Sequence, residues 1–113
     1  MLSKAHRLHK EKDFKKTFQK GRSFFTKALG VKVLKNNLKT SRFGIVVSTK
    51  ISKKAVVRNK VKRQIREVLR SQLDKVKPGY DVVIITLPAI IDKEYVDIEK
   101  DLKSAFKKLN IIE

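Results

Sequence analysis

Residues 58–70 (Arg-Asn-Lys-Val-Lys-Arg-Gln-Ile-Arg-Glu-Val-Leu-Arg) constrain the fold more than any other stretch of the chain. Val61, Ile65, Val68 and Leu69 recur at i, i+4, i+7 and i+8, the spacing of a helix with one buried face. At about 100° per residue, Asn59, Arg63, Arg66 and Arg70 gather on the opposite side, with Lys62 at the edge of the apolar stripe. A helix anchored by one face and carrying guanidinium and amide groups on the other is suited to phosphates and base edges. A solvated basic helix would interleave acids as i,i+4 partners, and here Glu67 stands alone.

Charge extends this reading to the whole chain. The 113 residues hold 29 Lys plus Arg against 11 Asp plus Glu, a net charge of +18. Self-repulsion of that size disfavours a compact state unless a polyanion supplies counter-charge, which points to nucleic acid ahead of an anionic membrane surface. The excess is uneven. Residues 92–113 carry five basic and six acidic side chains, whereas residues 1–91 carry 24 and five. The last segment therefore reads as a structural helix and the rest as the binding body.

The length suits one domain, residues 1–113, with residues 1–10 as a basic N-terminal arm that orders against a partner or the body. Residues 11–20 place Phe14 and Phe18 at i and i+4 ahead of Gly21, predicting a short helix with a glycine C′ residue. Residues 23–34 alternate, with Phe25, Leu29, Val31 and Val33 on one face and Thr26, Ala28, Gly30 and Lys32 on the other, predicting one long strand. Residues 36–41 form a polar turn. Residues 42–48 alternate again, and the two strands are expected to pair antiparallel.

Residues 49–57 read as a basic loop leading into the arginine helix, which runs to about Leu73. Pro78-Gly79 turns the chain into residues 80–87, whose Val82-Val83-Ile84-Ile85 run predicts a strand buried on both faces and stopped by Pro88. Tyr95, Ile98, Leu102, Ala105, Phe106 and Leu109 give a closing amphipathic helix. The order α-β-β-α-β-α predicts an α+β two-layer sandwich, helices on one small sheet. Gly30 and Gly44 with Thr26, Ala28, Lys32 and Ser48 leave a sheet face of small or basic residues, which is a solvent face, a face covered by the first helix, or room for a ligand.

No catalytic centre emerges. His6 and His9 lie in the basic arm with no carboxylate closer than Glu11, and read as surface residues rather than metal ligands. The five acids of residues 1–91 (Glu11, Asp13, Glu67, Asp74, Asp81) show no paired spacing for acid–base or two-metal chemistry. The glycines are too scattered for a phosphate loop. The chain has no Cys, which fits a reducing cytoplasm, and no apolar run of membrane-spanning length or signal-peptide type. Phe14 and Phe18 fit either a core stripe or, flanked by Lys15, Lys16 and Lys20, a stacking platform for single-stranded bases.

At the arginine helix the pattern becomes specific. Arg42-Phe43-Gly44-Ile45-Val46-Val47-Ser48-Thr49-Lys50, followed by residues 55–67 with R-N-x-x-K-R-x-x-R-E fully met, resembles the bacterial ribonuclease P protein subunit. Asp13-Phe14-Lys15-Lys16-Thr17-Phe18-Gln19-Lys20-Gly21 is similar to that family's D-F-x-x-x-F-x-x-G segment. The resemblance implies a ribosomal protein S5 domain 2-like fold with a left-handed β-α-β crossover, against the usual hand. It implies the small subunit of an RNA-based endonuclease that removes the 5′ leader of precursor tRNA, with catalysis and its Mg²⁺ belonging to the RNA. No cofactor is then expected on the protein, and one protein is expected per RNA.

The resemblance also implies site residues. Arg58, Asn59, Lys60, Lys62, Arg63, Arg66, Arg70 and Lys50 would face the catalytic RNA. Phe14, Phe18, Lys32, Ser48 and Lys62 would line a cleft for the leader, between the first helix and the open sheet face. The chain departs from the family in three places. Thr49 stands where the family often has a second lysine, Lys32 where some members have an aromatic, and residues 51–54 are basic where some have Gly-Asn. Two other classes compete: a structural RNA-binding protein of ribosomal or chaperone type, and a DNA-binding module with the arginine helix in a major groove.

Overall fold

The computed structural model describes residues 4–112. Helix α1 (Glu11–Lys20) precedes strands β1 (Arg22–Phe25), β2 (Leu29–Lys35) and β3 (Arg42–Val46). Helix α2 (Ala55–Gln72), strand β4 (Tyr80–Thr86) and helix α3 (Tyr95–Lys108) follow. The result is an α+β fold on one mixed sheet of order β1-β2-β4-β3.

The predicted long strand over residues 23–34 is in fact a hairpin. Thr26 turns the chain: its N–H donates to the Leu29 carbonyl at 2.7 Å, and its hydroxyl oxygen accepts the Leu29 N–H at 3.2 Å. Reversal pairs Phe25 with Gly30, so Phe25 lies on the face opposite Leu29, Val31 and Val33. The expected antiparallel partnership with residues 42–48 is also wrong. β4 inserts between them, antiparallel to β2 and parallel to β3. That central place is what a strand apolar on both faces requires, and Val82, Val83 and Ile84 are fully buried.

Register sorts the side chains. Phe24, Val31, Val33, Val82, Ile84, Phe43 and Ile45 share one face and meet Val61, Ile65, Val68 and Leu69 of α2 and Ile98, Leu102, Ala105 and Phe106 of α3 in the core. Phe25, Gly30, Lys32, Asp81, Val83, Ile85, Arg42, Gly44 and Val46 share the other, and α1 packs there. The helix thus covers part of the small-residue face, as one of the alternatives left open by the sequence had it.

α3 starts with a capping box, Glu94 with Asp97, and ends with Asn110 at φ 60°, the Ile111 N–H donating to the Phe106 carbonyl at 3.0 Å. Gly21, expected as a left-handed C′ residue, has an extended backbone (φ −75°). Close approach explains the glycine instead: a β-carbon there would lie 2.5 Å from the Thr17 carbonyl oxygen and 2.8 Å from that of Val33.

Of the N-terminal arm, residues 1–3 lie outside the described residues. The remainder orders against the body at the free edge of β3. The Leu8 N–H donates to the Phe43 carbonyl at 2.9 Å, His6 Nδ1 donates to that of Ser41 at 2.9 Å, and Leu8 is buried.

A polar cluster locks α1 to the sheet. Arg42 on β3 makes a bidentate pair with Asp81 on β4 (2.8 and 2.7 Å), and Asp13 on α1 lies 3.4 Å from the same guanidinium. Asn36 donates to Asp81 at 2.9 Å from the β2–β3 connection. The Asp81 hydrogen bonds are the main cause that raises the Arg42 pKa above its ordinary value, so the guanidinium stays charged at any working pH.

Candidate nucleic-acid interface

The core face of α2 decides where its cations point. With Val61, Ile65, Val68 and Leu69 inward, Asn59, Lys60, Arg63 and Arg70 are exposed. Arg58, Lys62 and Arg66, spaced i, i+4 and i+8, form a half-buried row along one flank. Sequence periodicity put Arg66 on the outer side with Arg63; tertiary packing instead gives it to the row shared with Lys62. Among the described residues, Arg70 is the only cation of α2 within ion-pair distance of a carboxylate, Glu67 at 3.5 Å, and both of those side chains are half exposed.

The loop before α2 is built to present this helix. Ile51 is buried and holds the loop to the core, and Arg58 Nη1 donates to the Ser52 carbonyl at 2.9 Å. Part of the Arg58 donor capacity is therefore spent within the protein. Lys50 is exposed, and its N–H donates to the exposed Ser48 hydroxyl oxygen at 3.2 Å, which tightens the turn leaving β3.

Across the sheet, Phe14 lies over Gly44 and Phe25 over Gly30, each ring filling the place a β-carbon would take. The two glycines thus make room for the protein's own aromatic rings. α1 leaves one cross-strand row uncovered, Phe25–Gly30–Ile85–Val46, with Phe25 49% exposed and Ile85 and Val46 partly so. Phe18, 36% exposed, belongs to the adjoining helix. Lys32 holds Phe18 in place: its Nζ donates to the Phe18 carbonyl at 3.0 Å and stands 5.4 Å from the ring centroid.

The two surfaces meet at a cavity of about 190 Å³, where Lys62 and Arg66 of α2 face Phe14 and Gly44, with Arg7 and His9 of the arm at its margin. Cationic side chains of α2 and an aromatic ring of α1 therefore adjoin at one place. Of the expected residues, Lys62, Arg66 and Phe14 meet at this cavity, and Arg58 lies one turn before Lys62 on the same row. Asn59, Lys60, Arg63 and Arg70 lie on the outer face of α2, and Ser48 and Lys50 at the end of β3.

Sequence reading missed Phe25, assigned to the core face, and missed Arg7. No signal was available for Phe25, because Thr26-Lys27-Ala28 carries neither Gly nor Pro.

The model of the ribonuclease P family matches residues 2–110 of the chain. The chain belongs to the bacterial ribonuclease P protein family. A ribonuclease P protein component from Clostridioides difficile is 43% identical over 105 residues, covering 92% of this chain and 91% of its own length. One from Synechocystis is 42% identical over 113 residues, covering 99% and 91%. Among solved structures, the Staphylococcus aureus RNase P protein superposes with a TM-score of 0.87 at 30% identity, covering 97% of this chain and 100% of its own. The Thermotoga maritima RNase P protein gives 0.80 at 31%, covering 96% and 98%.

As a ribonuclease P protein, the chain is a component of a tRNA-processing ribonucleoprotein nuclease and works with its RNA. No described helix is long and apolar enough to cross a membrane.

Proposed function

We propose that the chain is the non-catalytic subunit of a cytoplasmic ribonuclease P, one copy per catalytic RNA, and that it binds that RNA through α2 and the 5′ leader of precursor tRNA through the sheet face. The observation that carries this reading is that Lys62 and Arg66 share one cavity with the Phe14 ring, Arg58 extending their row one turn away, with no described carboxylate within ion-pair distance of the three. Arg63, Asn59 and Lys60 extend the phosphate contacts outward, and Phe18 and Phe25 offer ring faces to unpaired leader bases.

Within this reading, bond cleavage and its Mg²⁺ belong to the RNA. Asp13 and Asp81 are poor ligands for such an ion, because Arg42 already holds both carboxylates. The protein's part is electrostatic: it neutralises phosphates where RNA and substrate meet, which lowers the demand for divalent ions. Reconstitution with a bacterial catalytic RNA tests this. At low Mg²⁺ the protein raises the rate of precursor-tRNA cleavage, and the gain is larger for leader-bearing substrate at limiting concentration. No gain at low Mg²⁺ contradicts it.

A further inference from the structure

The arm ahead of α1 is fastened along the edge of β3 at several points. The Thr40 hydroxyl donates to the Ala5 carbonyl at 3.3 Å, His6 Nδ1 donates to that of Ser41 at 2.9 Å, and the Leu8 N–H donates to that of Phe43 at 2.9 Å. Arg7 bridges Phe43 in the parallel sense, so the arm continues the sheet one step past β3. Leu8 is the anchor, only 4% exposed.

A free strand edge invites stray pairing, and covering it is reason enough for an arm to dock. Edge cover alone would leave the neighbours of Leu8 without a task. Arg7 and His9, on either side of the anchor, are both exposed, and both line the cavity of about 190 Å³ with Lys62 and Arg66 of α2 and Phe14 of α1. No described carboxylate lies within 4.0 Å of Arg7, Lys62 or Arg66. Cations brought to one place from opposite ends of the sequence repel one another, and an entering anion offsets that cost.

The dimensions narrow the choice of anion. The cavity is smaller than the roughly 300–1,000 Å³ of a site that encloses a small molecule. It suits one phosphate of a chain that continues past it, with the half-buried Phe14 ring as an apolar wall beside the phosphate.

We propose that the arm is a working part of the RNA site. Arg7 binds an RNA phosphate in this cavity together with Lys62 and Arg66, and His9 adds a ring N–H, which imidazole offers in every protonation state. Leu8 is the positioning residue that holds both there. This rests on the reading of α2 as an RNA-binding helix and extends the site to a segment well before α2 in the chain.

The test is a salt series, with the full chain binding a bacterial catalytic RNA and the reconstituted holoenzyme binding precursor and mature tRNA. Arg7→Ala leaves the melting temperature unchanged, because Arg7 is exposed, and lowers the slope of log K against log salt by roughly 0.7–0.9. Arg7→Lys keeps the full slope. Leu8→Ala loses the same increment although it removes no charge, and the double variant loses no more than either single one. Should Leu8→Ala not fold, Arg7→Ala decides alone. A loss seen with the catalytic RNA by itself makes that RNA the source of the phosphate, and a loss seen with precursor but not mature tRNA makes it the leader; either outcome supports the site. An unchanged slope in Arg7→Ala beside a reduced one in Lys62→Ala would reduce the arm to an edge cover and overturn the proposal while the reading of α2 stands. Unchanged slopes in both variants would overturn the two together.

Discussion

The Phe14 ring rests on Gly44 so closely that a β-carbon at position 44 would stand 2.3 Å from its Cζ. Helix α1 and its ring can sit at this depth because β3 offers no side chain beneath them. Gly44→Ala must push the ring outward, an overpacking change expected to cost about 1–3 kcal/mol and to weaken binding of leader-bearing substrate. The two residues are coupled, so Gly44→Ala costs much less in a Phe14→Ala background. A double-mutant cycle by urea denaturation measures this; additive losses would mean that the ring does not set the cost.

Arg42, held by Asp81 within the sheet and reached by Asp13 of α1, is the second joint between α1 and the sheet. The Arg42 and Asp81 side chains are 19% and 7% exposed, so breaking the pair leaves a largely buried guanidinium with only the longer Asp13 contact at 3.4 Å. Asp81→Ala is expected to destabilise by about 3–5 kcal/mol, since both Arg42 and Asn36 lose their acceptor. The raised Arg42 pKa has a sign: its share of stability is present below the ordinary arginine pKa and fades only as pH rises through the raised value. A loss under about 1 kcal/mol in urea at neutral pH would class the pair with exposed salt bridges.

Phe25 is 49% exposed on the sheet face that α1 covers only in part, so Phe25→Ala lowers the melting temperature only by the loss of its half-buried contact over Gly30. If a base stacks there, affinity for precursor tRNA falls by the equivalent of about 1–3 kcal/mol while mature tRNA is unaffected. Phe18→Ala behaves similarly, with a small added loss because Lys32 forfeits its place over the ring. Equal losses for precursor and mature tRNA, together with a lower melting temperature, would assign these rings to packing.

The sequence made some of this legible for clear reasons. The apolar stripe of α2 needs only local spacing, and the register of Val61, Ile65, Val68 and Leu69 was enough to orient Arg63 outward. The double-sided burial of β4 was readable too, and it contained the clue to strand order: a strand buried on both faces belongs in the middle of a sheet. What stayed hidden was set by contacts distant in sequence. The hairpin at Thr26 has no turn residue, and even spacing between Phe25 and Leu29 disguised the reversal that puts them on opposite faces. The capture of Asp13 and Asp81 by Arg42 joins residues far apart in the chain, and so does the meeting of Arg7 with Arg66 at one cavity. The role of Gly21 was hidden likewise, since it depends on the Val33 carbonyl rather than on its own backbone angles.

The salt dependence of binding between the chain and a bacterial catalytic RNA probes the central arrangement of α2 most directly. For Arg63→Ala with Arg66→Ala, the account predicts weaker binding and a slope of log K against log salt reduced by roughly 0.7–0.9 for each phosphate no longer neutralised. An unchanged slope would contradict it, because neither guanidinium would then be meeting RNA phosphate.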